Sequence, residues 1–372
     1  MKKIIAMSGG VDSSVALLLT RLDVMKSGGS DNDILGVTLA MGTDDPADLA
    51  ADEKNIADAR SVCENQGVKH TALHVGEEFR QNVVNYFAES YLAGFTPNPC
   101  VVCNREIKFG LLADFAEKNG ADAVVTGHYA RIEQIGDFKW IRKAADLSKD
   151  QSYVLAMLSQ KQISAAQFPL GGFTKENVRK IAEENGFVNA HRKDSQDICF
   201  IKDGDYYSFL ASYLPKIGKT LPEDGIYTDE NGNTLGKNKG YVKYTVGQRK
   251  GLGISCGKHV FVLSKNAQNN TVVLGDEERL FKSKVKLHSL SLPSDPRALD
   301  GEVKVIAKLR YAHKGSTGIF TRTGENEGVI EFDEPQRAPT PGQFAVMYNG
   351  EAMPDAESDK TGEYVIGAGV IE

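Results

Sequence analysis

The segment Ser8-Gly9-Gly10-Val11-Asp12-Ser13-Ser14 lies between the apolar run Ile4-Ile5-Ala6-Met7 and the helix-forming run Val15-Ala16-Leu17-Leu18-Leu19, an order that predicts strand, loop and helix. Two successive glycines permit the positive backbone angles that turn consecutive N–H groups inward, and a helix opening behind them adds the positive end of its dipole. Phosphate is the natural guest of such a nest. Ser13 and Ser14 are expected to cap the helix or to donate to phosphate oxygens. Asp12 would repel bare phosphate, so it is expected to face a metal ion or the helix N–H groups. The Gly-Lys-Ser/Thr ending of the usual P-loop is missing, and no third glycine completes a dinucleotide fingerprint.

Thiols are the second chemical resource. Thr96-Pro97-Asn98-Pro99-Cys100-Val101-Val102-Cys103 sets two cysteines just before an amphipathic stretch, after two prolines that hold the chain extended. A nearby helix N-terminus with Arg105 and Lys108 is expected to lower the thiol pKa and favour thiolate, the form that attacks, exchanges persulfide sulfur or ligates metal. A CxxC pair of this kind reads as a redox pair, half of a zinc site or part of an iron–sulfur site, and no second CxxC is present to complete a zinc set. Cys199, in Asp197-Ile198-Cys199-Phe200, reads on its own as a small buried apolar residue. Cys63 and Cys256 are read as structural.

These groups need a scaffold to position them. Up to about Gln196, short apolar runs (Ile34 to Leu39, Ala123 to Thr126) alternate with helical stretches (Ala51 to Glu64, Glu78 to Leu92, Glu106 to Lys118), which predicts a parallel sheet covered by helices. Ligands of such sheets sit beyond the carboxyl ends of the strands, which makes Met41, Gly127 and His128 candidate lining residues. From about Asp203 the chain turns glycine-rich, as in Gly247-Gln248-Arg249-Lys250-Gly251, and reads as a small β-rich central domain. From about Lys284, runs of β-branched and aromatic residues separated by turn signals predict a small antiparallel β-barrel, with a long polar hairpin loop from Glu351 to Gly362. The expected division is 1–203, 204–283 and 284–372. At 372 residues, 41% hydrophobic and 25% charged, the chain can bury real cores. No apolar run is long enough for a membrane span and no signal peptide fits, so the cytoplasm is the expected compartment, and five cysteines argue against a disulfide framework there. The net charge of −6 alone speaks against a nucleic-acid partner, yet local groups such as Lys308, Arg310 and Lys314 allow a basic face.

Ser8 to Ser14 resembles the SGGxDS loop of the ATP pyrophosphatase superfamily, whose members split ATP into AMP and pyrophosphate by adenylating a substrate. TPNPCxxCNxxIKF, VTGHY at 125–129, SKDQSY at 148–153, DSQDICFI at 194–201, GQRKGLGI at 247–254 and TPGQ at 340–343 follow in order. Together these motifs are similar to those of the bacterial tRNA-specific 2-thiouridylases along essentially the whole chain. The resemblance implies an adenine nucleotide alpha hydrolase-like first domain. It also implies ATP-dependent replacement of the 2-oxygen of the wobble uridine by sulfur in tRNAs for Lys, Glu and Gln, with ATP and Mg²⁺ as cofactors. By the same resemblance Cys199 receives a persulfide from a sulfur-relay protein or cysteine desulfurase. Cys103 is then the nucleophile, and a Cys103–Cys199 disulfide is left for reduction. Ala6, Met7, Ser8, Gly9, Gly10, Val11, Asp12, Ser13, Met41 and Gly127 match ATP contacts, and Asn98, Pro99 and Cys100 match the segment facing the target base. His128, Lys149, Asp150, Gln151, Arg310, Tyr311 and Gln343 match tRNA contacts.

Many members of that family carry Asp where this chain has Cys100. Three thiolates at Cys100, Cys103 and Cys199 could then hold a 4Fe–4S cluster, a second route to the same product beside the persulfide–disulfide route. Another tRNA-modifying ligase with this loop is a further alternative, and it would need no thiols.

Overall fold

The computed structural model describes residues 2–42, 45–187, 189–190, 197–201, 204–357 and 359–372. Strands β1 (Lys3–Ala6), β2 (Ile34–Ala40), β3 (Lys69–His74) and β4 (Ala123–Val125) are followed by the hairpin β5 (Ala130–Ile135) and β6 (Phe138–Lys143), then by the short β7 (Ala166–Gln167). One parallel sheet has the order β3-β2-β1-β4-β7. Side chains alternate across it. Ile4, Val37 and Val124 enter one core while Ile5 and Val125 enter the other, which is why these short strands are apolar almost throughout.

The helices of this region are α1 (Val11–Lys26), α2 (Pro46–Asn65), α3 (Gly76–Phe79), α4 (Asn85–Leu92), α5 (Pro99–Cys103), α6 (Leu112–Lys118), α7 (Ser152–Leu155), α8 (Gln160–Ala165) and α9 (Lys175–Glu184), with α10 (Tyr206–Tyr213) leading out of it. The π-helical turns Arg80–Val84 and Asn104–Leu111 join α3 to α4 and α5 to α6. The expected helix at Glu106 therefore begins at Pro99. Asn98 accepts from the Cys100 amide at the cap and Pro99 takes the first helical position, where its missing N–H costs nothing. Both cysteines thus lie inside the helix rather than before it.

The strand order turns back between β1 and β4, and the open crevice of such a sheet lies beyond the carboxyl ends at that point. The glycine loop follows β1 and Gly127 follows β4, so the two meet there.

The central region forms a four-stranded sheet of β8 (Gly225–Thr228), β9 (Thr234–Asn238), β10 (Phe261–Asn266) and β11 (Thr271–Gly275). The last part is a closed barrel of β12 (Phe281–Ser291), β13 (Glu302–Lys308), β14 (Ser316–Arg322), β15 (Glu327–Arg337), β16 (Phe344–Asn349) and β17 (Val365–Ile371). Its antiparallel closure agrees with the spacing of the β-branched runs. The hairpin β5–β6 went unread in the sequence. It carries Trp140 into the barrel's core cluster, and the Lys143 amide donates to the Glu363 carbonyl at 2.8 Å. Arg142, 9% exposed, pairs with Glu133, Glu357 and Glu363, which ties the hairpin to the loop between β16 and β17.

Candidate active site

After β1 the chain turns through Gly9, whose φ of +71° falls in the left-handed region and explains a glycine at that position. Gly10 is the N-cap of α1 and no side chain caps the helix, so the first N–H groups of a sixteen-residue helix stay available to an anion. Ser13 and Ser14 do not cap. Their hydroxyls donate back to the Gly10 carbonyl at 2.9 and 3.0 Å, and Ser13 Oγ also receives the Ser8 amide at 3.3 Å. Gly127 supports the loop from β4. A Cβ there would stand 2.9 Å from the Asp12 carbonyl carbon and 3.0 Å from the Ser13 nitrogen. Met7 and Val11 are buried in the core, which leaves their backbone, rather than their side chains, for any nucleotide. Met41 is half-buried at the end of β2, beside the Gly42 amide that donates to Asp52 at 2.6 Å.

Asp12 departs from expectation. Lys175 Nζ donates to both its carboxylate oxygens at 2.8 Å and the Tyr129 hydroxyl donates at 2.7 Å. Lys175 is the first residue of α9, where a cation opposes the helix dipole, and its Nζ is 5.7 Å from the centre of the Tyr129 ring. A lysine at a helix start, just after the N-cap Thr174, was the sequence signal for this partner. Asn189 also went unread. Its Nδ2 donates to the Gly9 carbonyl and to Ser14 Oγ at 2.9 and 3.0 Å, while its buried Oδ1 has no partner among the described residues. The N–H groups at the start of α1 and the exposed Ser8 hydroxyl form a donor set that suits a nucleotide phosphate, with the Asp12 charge beside it offset by Lys175.

The three thiols lie within reach of one another's charge. Cys103 is buried while Cys100 and Cys199 are exposed, and all five cysteines are free thiols. Phe200 inserts among Phe79, Phe87 and Phe209, at ring distances of 5.9, 5.4 and 5.2 Å. That anchor turns the adjacent Cys199 outward, so it is not the buried apolar residue it resembles in isolation. Residues 194–196, which open the DSQDICFI motif, lie outside the described residues. Desolvation by surrounding protein is the first cause that raises each thiol above its ordinary range, Cys199 to about 12, and it acts on Cys100 and Cys199 although both keep surface open to solvent. Cys103 and Cys100 then raise Cys199 further by charge, Cys100 does the same to Cys103, and Lys108 opposes all three shifts. The three sulfurs are thus electrostatic neighbours although one lies far from the others in sequence. The expected lowering of these pKa values is overturned. Surrounding protein outweighs the single cation Lys108, and Arg105 is engaged by Glu106 at 2.6 Å.

Residues matched to tRNA contacts divide by exposure. Tyr311 is 45% exposed, and Arg310 is exposed beside it. The Tyr311 hydroxyl donates to the Asp150 carbonyl at 3.2 Å, and burial first, then the charges of Asp150 and Cys100, raises its phenol pKa. Lys149 is half-buried. Asp150 is 6% exposed and accepts from the Ala144 amide and from the Ser152 amide and hydroxyl, which makes it a loop organiser. Gln151 braces Tyr129, accepting its amide at 2.9 Å. His128 is buried, bonded to Thr126 Oγ1 at 2.7 Å and set against Phe109 and Phe168. Burial first, then Lys108, holds its pKa well below the ordinary range, so it stands as a neutral residue in the wall. Gln343 donates to the carbonyls of Thr96 and Pro97 at 2.8 and 3.2 Å, and Thr96 donates its amide to the Pro341 carbonyl at 2.9 Å. The barrel thereby fixes the loop that leads to Asn98, Pro99 and Cys100.

Residues 1–203 match the family model described as a tRNA methyl transferase HUP domain, residues 208–276 a tRNA methyl transferase PRC-barrel domain, and residues 282–354 an aminomethyltransferase beta-barrel domain. A solved U34-tRNA thiolase from Methanococcus maripaludis with its 4Fe–4S cluster matches 58% of this chain and 67% of its own, at 18% identity and a TM-score of 0.36, too slight a likeness to bear on chemistry. Among full-length relatives, the tRNA-specific 2-thiouridylase of Treponema denticola is 39% identical over 384 residues, covering 100% of this chain and 98% of its own. The tRNA-specific 2-thiouridylase of Clostridioides difficile is 42% identical over 380 residues, with 100% and 98% covered. Identity of this extent over the whole chain shows that it belongs to the tRNA-specific 2-thiouridylase family.

Proposed function

We propose that this protein is an ATP-dependent tRNA sulfurtransferase that converts the wobble uridine of tRNAs for Lys, Glu and Gln to 2-thiouridine. The closeness of Cys199 to Cys103 and Cys100, each felt by charge at the others, carries the reading, because it relates two separate motifs whose thiols must exchange sulfur. The methyl transfer named in two of the matched family models offers no use for these thiols.

A pyrimidine carbonyl oxygen is a poor leaving group, so it must first be activated. The uridine O2 attacks the α-phosphorus of ATP, the bond to pyrophosphate breaks, and an O2-adenylated uridine remains. Backbone N–H groups at the start of α1, from Val11 onward, hold the phosphates, Lys175 offsets the Asp12 charge beside them, and Gly127 leaves room for the loop. Mg²⁺ accompanying ATP would neutralise phosphate charge. Sulfur arrives as a persulfide on Cys199, loaded by a sulfur-relay protein or cysteine desulfurase. The Cys103 thiolate attacks Cys199 Sγ and releases the outer sulfur as hydrosulfide. That sulfur adds to C2, and AMP leaves with the former O2. Two thiols have then been oxidised to a Cys103–Cys199 disulfide while one sulfane sulfur has been reduced to sulfide. An external dithiol restores the resting pair. Lys108 is the cation positioned to support the Cys103 thiolate. Among the described residues no three His, Cys, Asp or Glu side chains stand close enough to hold a metal ion, so the iron–sulfur route finds no ligand set and no step passes through one.

The test is mass spectrometry of the wobble nucleoside after incubation of the protein with unmodified tRNA, ATP, Mg²⁺ and a persulfide donor. The expected product is 2-thiouridine with stoichiometric AMP, lost on Cys103→Ser or Cys199→Ser. Unchanged uridine with the wild type refutes the proposal.

A further inference from the structure

Lys143 ends β6 and Lys308 ends β13, and neither has a part in the chemistry above. Both side chains are half-buried. Lys143 Nζ lies 4.1 Å from the centre of the Tyr348 ring, and Lys308 Nζ lies 5.8 Å from the Tyr153 ring and 5.7 Å from the Tyr311 ring. Among the described residues neither ammonium has a hydrogen-bond or ion-pair partner. Burial holds both below the ordinary lysine range, and Lys308 lowers Lys143 further by repulsion, so the two charges are neighbours.

The acids nearby are already engaged. Asp150, which both lysines face, is taken up by Ala144 and Ser152. Glu363, which faces Lys143, receives Arg142 Nε at 2.8 Å and stands 3.8 Å from Arg131. Arg310 adds a third positive charge close enough to be felt at Tyr153. Donors left unmet and partly out of water are costly, and two such ammonium groups that repel one another are relieved by an anion that reaches both. The exposed half of Tyr311, which feels the charge of Cys100, supplies a ring on which an unstacked base can lie.

We propose that Lys143 and Lys308 form a binding site for one backbone phosphodiester of the RNA, adjacent to the base that reaches Cys100. This rests on the tRNA reading above. It adds a phosphate contact that connects the β5–β6 hairpin with the barrel, so that RNA is gripped where the two meet.

The test is binding of an anticodon stem-loop with an unmodified wobble uridine, by fluorescence anisotropy across a potassium chloride series and without ATP. Lys308→Met and the double variant with Lys143→Met keep the stems against the rings and remove the charge. One lost phosphate contact is expected to reduce the salt slope by about 0.7, so a fourfold rise in salt narrows the gap to wild type by about 2.6-fold. The double variant is expected to lose no more than about one unit of slope, since one phosphate is shared. Lys308→Arg is expected to keep the wild-type slope, and Lys161→Met, at an exposed remote site, to change nothing. ATP binding and the competing effect of inorganic phosphate are measured in parallel. An unchanged slope in the folded Lys308→Met variant overturns the proposal, as does an equal loss of ATP affinity or full competition by millimolar inorganic phosphate. Failure of the wild type to bind the stem-loop would instead sink the tRNA reading itself.

Discussion

Replacing Lys175 by methionine removes a charge from beneath the phosphate loop while keeping most of the side chain's volume. Its Nζ donates to both oxygens of Asp12 at 2.8 Å, with the lysine side chain 9% and the aspartate side chain 31% exposed. Removing one partner of a fully buried pair costs roughly 3–5 kcal/mol. Asp12 retains the Tyr129 hydroxyl at 2.7 Å and some access to water. The loss should therefore lie nearer the value for hydrogen bonds to charged groups, about 1.5–3 kcal/mol. Urea unfolding without nucleotide checks this, following the N-terminal transition. The double variant Lys175→Met with Asp12→Asn should regain most of the loss, because no carboxylate is left uncompensated. ATP affinity of the single variant should fall at least about tenfold, as the phosphates then meet a bare carboxylate. If the single and double variants unfold alike, or if Lys175→Met binds ATP as tightly as wild type, the pair does not hold the loop and the reasoning fails.

Gly127→Ala places a methyl group 2.9 Å from the Asp12 carbonyl carbon. Overpacking of that kind costs about 1–3 kcal/mol, and calorimetry should show weakened ATP binding with tRNA binding retained. Gly342→Ala puts a Cβ 2.7 Å from Phe95 Cβ at a φ of +88°, so the cysteine loop must move. Thiolation should drop while ATP binding persists, and faster hydrogen exchange at the Thr96 amide would locate the change. Cys199, raised to about 12, should resist alkylation at neutral pH and react faster as the solution becomes alkaline. A half-point near neutrality would contradict the burial argument. A raised folded pKa means the thiol form favours the native state. Stability from this group is therefore complete below the ordinary thiol pKa and declines as pH rises toward about 12, a decline that Cys199→Ala removes in pH-dependent unfolding.

Local order made much of this molecule readable. The parallel sheet follows from short apolar runs alternating with amphipathic helices, and the barrel follows from β-branched runs broken by turns. Boundaries were less legible. The helix carrying Cys100 and Cys103 begins at Pro99 because Asn98 caps it, a local signal outweighed in the reading by the later amphipathic stretch. The hairpin β5–β6 escaped because its role is tertiary, to carry Trp140 and Arg142 to the barrel. Lys175 and Asn189 are distant in sequence from the loop they support, and only a cation at a helix start hinted at the first.

What the sequence alone determined is the inventory: a glycine nest that suits phosphate, three thiols within motifs, and the families of elements that carry them. These depend on residue type and spacing over a few positions, where backbone sterics and periodicity decide. Tertiary structure decided the charge states and the partners. Desolvation by surrounding protein keeps the thiols protonated against the pull of Lys108, Lys175 rather than a helix terminus answers Asp12, and Gln343 reaches from the barrel to hold the cysteine loop. Desolvation and long-range pairing depend on what surrounds a group in space, and the fold brings those surroundings from remote parts of the chain.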